Sequence, residues 1–583
     1  MEISSLNNAL NLYKRIFSAN TVMKPVIEFS DKKPDFVYSE VCNPFSRVTP
    51  ESQGVSAAHL YNFYKELAED KTLNMHNIMV LKNGKVISEV AFGNSDLSVW
   101  KMSFSACKSV VSLAVGMLVD EEKLDINTPI LEFFPEYSNA VLKVKLREIT
   151  VKTLLTMSSG SNFNEFVCLA SVNWERSFLK SNFSLKPGTA FNYNSLNTYM
   201  LSSIVKRVSG VGLSEFLDEK LFGPLGIYNY HFEKSPTEIE KGGWGLYILP
   251  EDFAKIGQLV LQNGVWEGKQ IISEKWIKDA TAKQISTPEF CGDFDYGYQI
   301  WTGEDSDNFL FNGMFGQNVW GFKKTGILIV SNAGNNELFQ QSNYYKIVNK
   351  YFSVAFPKFL PENTRENKTL IKYTKSLSNR QKNSGFLQKL KMLWNGSGFN
   401  IKSDIIGKEF GTASDNAATV GLLPKFLQII RNNYSSGFKS VKFMYVDDIL
   451  NMVYCENDSV FNVKLGVGSF ITSEIDYYGE KYLVASSVNF GTDEDGNDVI
   501  TVICDFLETF SNRKIKIYFK KGKVIYRQFE TPFDDLSKEE LEKIKVGLGK
   551  NKLLNAALGK IDEDYISHKL QSVFEPQIRL IEI

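Results

Sequence analysis

Between residues 46 and 358 the chain puts strand-forming runs at both ends and helix-forming runs in the middle, and few folds accept that order. The clearest element is an early hairpin: apolar runs at 78–81 and 86–92 flank the turn Lys82-Asn83-Gly84-Lys85. Asn-Gly between β-rich runs is the strongest short-range hairpin signal, because the tight turn needs residues that tolerate positive φ. A helix capped by Ser56 is predicted before it, running to about Asp70. Helical patterns then fill about 125–285, notably at 151–157, 198–208, 213–221, 251–262 and 273–282, with Pro187-Gly188, Gly223-Pro224 and Gly242-Gly243 as punctuation. Strands return at 296–301, 309–312, 317–322 and 326–331, and a helix over 340–351 closes the segment. This order suits one antiparallel sheet assembled from both ends with a helical lobe beside it, an α+β arrangement of sheet flanked by helices.

With 583 residues, 43% of them hydrophobic, the chain exceeds one ordinary domain. Composition turns polar at about 358–400, which predicts a linker. Beyond it, β-rich runs at 440–446, 450–455, 460–465, 481–490, 499–506, 514–519 and 523–529 predict an antiparallel, barrel-like meander, with helices near 422–433 and 537–547. The expected organisation is an N-terminal extension over 1–45, a first domain over 46–358, a linker over 359–400 and a β-rich accessory domain over 401–583.

A formal net charge of −1 with mixed signs excludes a polyanion-binding footprint, so no nucleic-acid partner is expected. Six scattered cysteines with no C-x-x-C pair predict neither a zinc site nor a disulfide framework. No metal and no cofactor are called for. The run Asp493-Glu494-Asp495-Gly496-Asn497-Asp498 resembles a calcium loop only briefly; it lacks the position-12 Glu and reads as a polar turn between strands. The N-terminus carries no basic-then-apolar leader, and the longest apolar run, about ten residues, is half the roughly twenty that span a bilayer. A soluble cytoplasmic protein is expected.

The chemistry concentrates at Ser105-Ala106-Cys107-Lys108. Here a polar segment meets the apolar stretch from Val110 to Val119, so Ser105 falls on the first turn of a buried helix and Lys108 three residues on shares its face. Burial lowers the pKa of a lysine, and a neutral amine can then take the proton of a serine. The four histidines (59, 76, 231 and 568) have no nucleophile-elbow context, which disfavours a histidine triad. Two further stretches matter. Phe191-Asn192-Tyr193-Asn194-Ser195-Leu196-Asn197 offers a phenol, a hydroxyl and amides at a helix entry. Phe311-Asn312-Gly313-Met314-Phe315-Gly316 places glycines on a strand, where side chains would block a close approach.

Ser105-x-x-Lys108, Tyr193-x-Ser195-x-Asn197 and the Gly-rich strand, in this order, resemble the serine β-lactamase and penicillin-binding-protein superfamily, above all its class C-like esterase, amidase and 6-aminohexanoate-dimer-hydrolase branches. Pro50-Glu51-Ser52-Gln53-Gly54-Val55, Leu155-Thr156-Met157-Ser158-Ser159-Gly160 and Tyr296-Gly297-Tyr298-Gln299-Ile300-Trp301 support the resemblance, which covers about 45–355. It implies a β-lactamase/transpeptidase-like fold, with Ser105 as the acylated nucleophile, Lys108 as its base and Tyr193 assisting proton transfer. It further implies Ser195 or Asn197 in the amide position that orients lysine and substrate, and the N–H groups of Ser105 and Met314, beside Asn312 and Gly313, as the oxyanion site. The C-terminal part is similar to a lipocalin-like accessory domain.

Two departures narrow the function. The strand reads Phe311-Asn312-Gly313 where a β-lactamase has Lys-Thr-Gly, and the second motif has Ser195 where Asn is usual. A literal Lys324-Thr325-Gly326 lies between two β-rich runs and reads as a hairpin turn. The expectation is a serine hydrolase of an ester or amide, with a small-molecule or short-peptide substrate and no obligatory carboxylate. A receptor-like binding protein of the same fold, or a true β-lactamase or D-amino-acid peptidase, are the alternatives. The sequence leaves the oligomeric state open.

Overall fold

The computed structural model describes residues 25, 27–29, 31–163, 165–168, 171–303, 306–378, 405–412, 420–520, 522–532 and 575–583. They form two compact units, one from Val37–Ser378 and one from the described residues of Ile3–Phe36 and Asn379–Ile583.

In the first unit, α1 (Ala57–Glu69) starts where the Ser56 hydroxyl accepts a hydrogen bond from the His59 N–H. The hairpin follows: β1 (Met75–Lys82) and β2 (Lys85–Ala91) join through Asn83 and Gly84, both at positive φ (52° and 71°). Next come β3 (Lys101–Met102), α2 (Lys108–Asp120) and α3 (Ser195–Ser209). Then follow β4 (Tyr230–Phe232), β5 (Leu246–Ile248), α4 (Pro250–Leu261), β6 (Asp295–Tyr296), β7 (Trp301–Thr302), β8 (Asn308–Gly313), β9 (Gln317–Phe322), β10 (Ile327–Ala333) and α5 (Asn343–Phe352). The main sheet has the order β2-β1-β10-β9-β8-β7-β6, every neighbour antiparallel. The early and late strands of this unit therefore meet where β1 pairs with β10, as the strand–helix–strand order requires.

Strand alternation assigns the faces. Leu310, Trp320 and Ile329 join one core cluster with Phe63 and Leu67 of α1 and Tyr344, Val348 and Phe352 of α5. Their neighbours point the other way: Phe311 meets Phe253 of α4, and a Cβ on Gly257 of α4 would reach Val319 at 2.4 Å and Leu328 at 3.0 Å. Both faces are thus covered by helices. Each fully buried Leu, Ile, Val or Phe contributes about 1.5–3 kcal/mol.

Three expectations change. The strand over 296–301 divides into β6 and β7, because Gln299, at φ 59°, turns inward; its side chain bonds Thr198, Leu154 and Leu155, and its carbonyl accepts from Ser109. Part of the polar stretch read as linker forms α6 (Thr364–Ser378) on the first unit. Leu370 and Leu377 enter the same core, and Asn367 donates to Glu51 at 2.8 Å. At the N-terminus, residues 27–29 and 31–36 associate with the second unit: Arg431 donates to the Asp31 carbonyl and Lys33 pairs with Glu508 at 2.9 Å.

The second unit is a closed barrel. Its elements are β11 (Glu409–Thr412), α7 (Lys425–Arg431), β12 (Phe438–Val446), β13 (Ile449–Glu456), β14 (Val460–Val467), β15 (Ile471–Tyr477), β16 (Glu480–Thr492), β17 (Asp498–Phe506), β18 (Asn512–Lys520), β19 (Lys523–Thr531) and β20 (Gln577–Glu582). The order β14-β13-β12-β11-β20-β19-β18-β17-β16-β15 closes because β14 also pairs, in parallel, with β16 at Gly466–Ser487 and Val467–Val488. Nine strands form the ring and β15 flanks β16. The anticipated meander is present, but β11, β15 and β20 were not foreseen. Asp493 accepts from the Asp495 and Asn497 N–H groups, so the calcium-like run is a self-bonded turn between β16 and β17. The helix expected at 537–547 lies outside the described residues. Among them, no helix is long and apolar enough to cross a membrane.

Candidate active site

Ser105 sits on a short 3-10 turn, Phe104–Cys107, between β3 and α2. The entry is held tightly: the N–H and hydroxyl of Ser103 both donate to the Leu246 carbonyl at 2.8 Å, and β3 pairs with β5. Phe104 adopts φ 47°, a strained conformation for a bulky side chain worth about 1–3 kcal/mol, and its ring packs edge-on against Phe315 at 5.8 Å. The turn presents Ser105 with 9% of its surface exposed, while the following helix is buried from Lys108 through Leu118.

One turn on, Lys108 Nζ lies 2.7 Å from Ser105 Oγ, 2.9 Å from Ser195 Oγ and 2.5 Å from the Gly243 carbonyl oxygen. Burial away from water disfavours its ammonium form and pulls its pKa down to about 8, against the opposing pull of Cys107 and the Glu165 carboxylate. Nζ donates to all three oxygens, as the three N–H groups of an ammonium can; on losing a proton the amine keeps two of these bonds and can turn its lone pair to the Ser105 hydroxyl.

Tyr193 completes the group. Its phenol faces Ser105, Lys108 Nζ lies 4.9 Å from its ring centroid, and burial pushes its pKa well above 10. The loop bearing it is pinned by Asn194, which caps α3 at Leu196 and donates to the Ser161 and Phe163 carbonyls.

The strand end closes the site from the other side. A Cβ on Gly313 would lie 2.3 Å from the Ser103 carbonyl oxygen and 3.2 Å from the Ala106 nitrogen. Glycine is needed here for contact with the turn that bears Ser105. Met314 is the residue that follows Gly313. The loop after β10 anchors this turn: Phe315 donates to the Glu337 carbonyl at 3.0 Å and accepts from Asn335 at 3.1 Å.

Ser105, Lys108, Tyr193 and Ser195 therefore converge, with Gly313 against the turn that bears Ser105. Two anticipated residues do not. Asn197 accepts from Ser159 at 2.5 Å and reaches Met157, so the hydroxyl of Ser195, not this amide, meets the lysine. Asn312 donates to Asn318 at 2.9 Å and Tyr345 at 2.8 Å, on the face of β8 opposite Gly313. Lys324-Thr325-Gly326 forms the β9–β10 hairpin turn, at the far end of the strands from Gly313.

Two contributors were missed. The Gly243 carbonyl reaches Lys108 because Gly243 lies against Ser195, where a Cβ would stand 2.7 Å from the Ser195 oxygen; Gly242-Gly243 was the available signal. Glu165 accepts from the Ser195 N–H at 2.7 Å, and as a lone acid it carried none.

Residues 65–347 match the Beta-lactamase family model. The chain is 27% identical over 283 residues to the 6-aminohexanoate-dimer hydrolase of Paenarthrobacter ureafaciens, covering 43% of this chain and 70% of the relative. It is 21% identical over 307 residues to the teichoic acid D-alanine hydrolase of Staphylococcus aureus strain MRSA252, covering 45% and 71%. A penicillin-binding protein homologue from Caulobacter crescentus superposes with a TM-score of 0.43 at 17% identity, covering 53% of this chain and 99% of that one. This region of the chain is thus similar to the β-lactamase family.

Proposed function

We infer that this β-lactamase-like domain is a serine hydrolase that cleaves an ester or amide through an acyl-enzyme on Ser105. The observation that carries the reading is the placement of a buried lysine nitrogen 2.7 Å from Ser105 Oγ, with its other two contacts on Ser195 and Gly243. Neutral Lys108 takes the Ser105 proton as Oγ attacks the substrate carbonyl. Charge develops on the carbonyl oxygen, where the N–H groups of Ser105 and Met314 receive it. Neither donates to a carbonyl of the turns and loops among the described residues. One such donor is worth about 10²–10³ in rate. Tyr193, facing Ser105, passes a proton to the departing oxygen or nitrogen; water then enters and the same groups reverse their roles.

The strand end disfavours a substrate carboxylate. Phe311 packs on Phe253 and Asn312 is engaged by Asn318 and Tyr345, so neither position supplies a cation. Turnover of p-nitrophenyl acetate that disappears in Ser105→Ala, with little turnover of a chromogenic cephalosporin, is the expected result. Binding of ester analogues without Ser105-dependent turnover would instead make the domain a receptor.

A further inference from the structure

Beside Tyr193 the site is built of rings that lead outward. Trp301 runs nearly parallel to Tyr193 (centroids 6.0 Å, 22°), and Phe339 meets it edge-on at 5.3 Å. Phe339 in turn contacts Phe290 at 5.9 Å. Trp301 is core, 2% exposed, whereas Phe339 is only partly buried and Phe290 is 49% exposed. Core packing accounts for Trp301 and for the inner side of Phe339, which rests on the same cluster; it leaves the half-exposed ring of Phe290, and the outer side of Phe339, without an apolar partner of their own size beyond each other among the described residues.

The outer pair is also fixed in place. The side chain of Gln341 donates to the Phe290 carbonyl at 2.7 Å and accepts from the Phe339 N–H at 3.1 Å, so one amide ties together the two segments that bear the rings. The result is an open aromatic shelf beside the phenol that hands a proton to the leaving group.

We propose that Phe339 and Phe290 form the leaving-group subsite, and that the substrate is an ester or amide whose departing alcohol or amine carries an aromatic or other flat apolar group. The proposal rests on the assignment of Tyr193 as proton donor to that group. A flat group laid on the shelf covers exposed ring surface and gains the offset or edge-on contact that aromatic pairs prefer.

The test compares 2-naphthyl acetate with 2,2,2-trifluoroethyl acetate. Both yield the same acetyl-enzyme, so kcat/KM isolates the acylation step, and the ratio of variant to parent for each ester cancels intrinsic reactivity. Phe339→Ala is expected to lower kcat/KM for the naphthyl ester about tenfold, equivalent to about 1.4 kcal/mol, and to change the trifluoroethyl ester far less. Phe290→Ala, at a half-exposed position where folding is safe, is expected to act in the same sense with a smaller ratio. An equal fall for both esters in Phe339→Ala, with no discrimination in Phe290→Ala, overturns the subsite and leaves Phe339 as mere support for Tyr193. Absent turnover of both esters, or turnover that persists in Ser105→Ala, overturns the reading of the site and the subsite with it.

Discussion

Lys108 Nζ lies 2.5 Å from the carbonyl oxygen of Gly243. A carbonyl only accepts, so one N–H of the lysine is committed there whatever its charge state. With Ser195 Oγ taking a second, deprotonation frees the position that faces Ser105. Acylation should therefore follow the neutral amine. Its pKa is lowered to about 8, so the active fraction rises with pH, and kcat/KM should climb through pH 7 and level off above about pH 9. Lys108→Arg stays charged and should lose about 10²–10⁴-fold, the usual contribution of a general base. A profile flat from pH 6 to 9 argues against Lys108 as the base.

Ser195 and Asn197 should separate chemistry from stability. Ser195 touches the lysine, so Ser195→Ala is expected to lower kcat/KM by about tenfold, as loss of roughly 1–2 kcal/mol of hydrogen bonding implies, with a small change in Tm. Asn197 instead satisfies buried Ser159, so Asn197→Ala should cost about 1–3 kcal/mol of stability while the folded fraction keeps most of its activity. The reverse pattern, read by thermal melts and ester kinetics side by side, would put the orienting role on Asn197.

Gly313→Ala should be severe. The new Cβ meets backbone, the Ser103 carbonyl at 2.3 Å, so either the strand end or the nucleophile turn must shift. The expected effect is a fall in kcat of about 10²-fold, the scale of a lost oxyanion donor, with a modest change in KM. Near-normal kcat would show that the turn tolerates displacement.

Glu337 makes stability depend on pH. Its carboxyl is buried, and that burial outweighs the Ser342 and Asn335 donors and raises its pKa from near 4.5 to about 7. Between these values the folded chain binds more protons than the unfolded chain, so stability falls as pH rises through that window, by up to about 3 kcal/mol. Glu337→Gln should flatten the fall in Tm between pH 5 and pH 8. An unchanged slope would assign the dependence to another group.

Local signals carried much of the fold and the centre of the site. Asn83-Gly84 needs only its own positive φ angles to be recognised, and Ser105 and Lys108 meet because one helical turn brings them together. Residues that act through a long-range approach were hidden. The Gly243 carbonyl reaches Lys108 only because α3 presses on Gly243, and Glu165 reaches Ser195 across 30 positions. Asn312 could have been placed better from pattern alone: if Gly313 faces the nucleophile, period-two alternation turns Asn312 away. In the barrel, β20 pairs with β11, more than 160 residues earlier, a register no local pattern encodes. β15 (Ile-Thr-Ser-Glu-Ile-Asp-Tyr) is polar enough to read as a connection.

The most direct measurement traps the acyl-enzyme. The full chain is treated with a fluorophosphonate, and the adduct is located by peptide mass mapping in the wild type and in Ser105→Ala. The account predicts one adduct, on the peptide containing Ser105, absent from the variant and slowed in Lys108→Arg. An adduct on another residue, or labelling undiminished in Ser105→Ala, would contradict it.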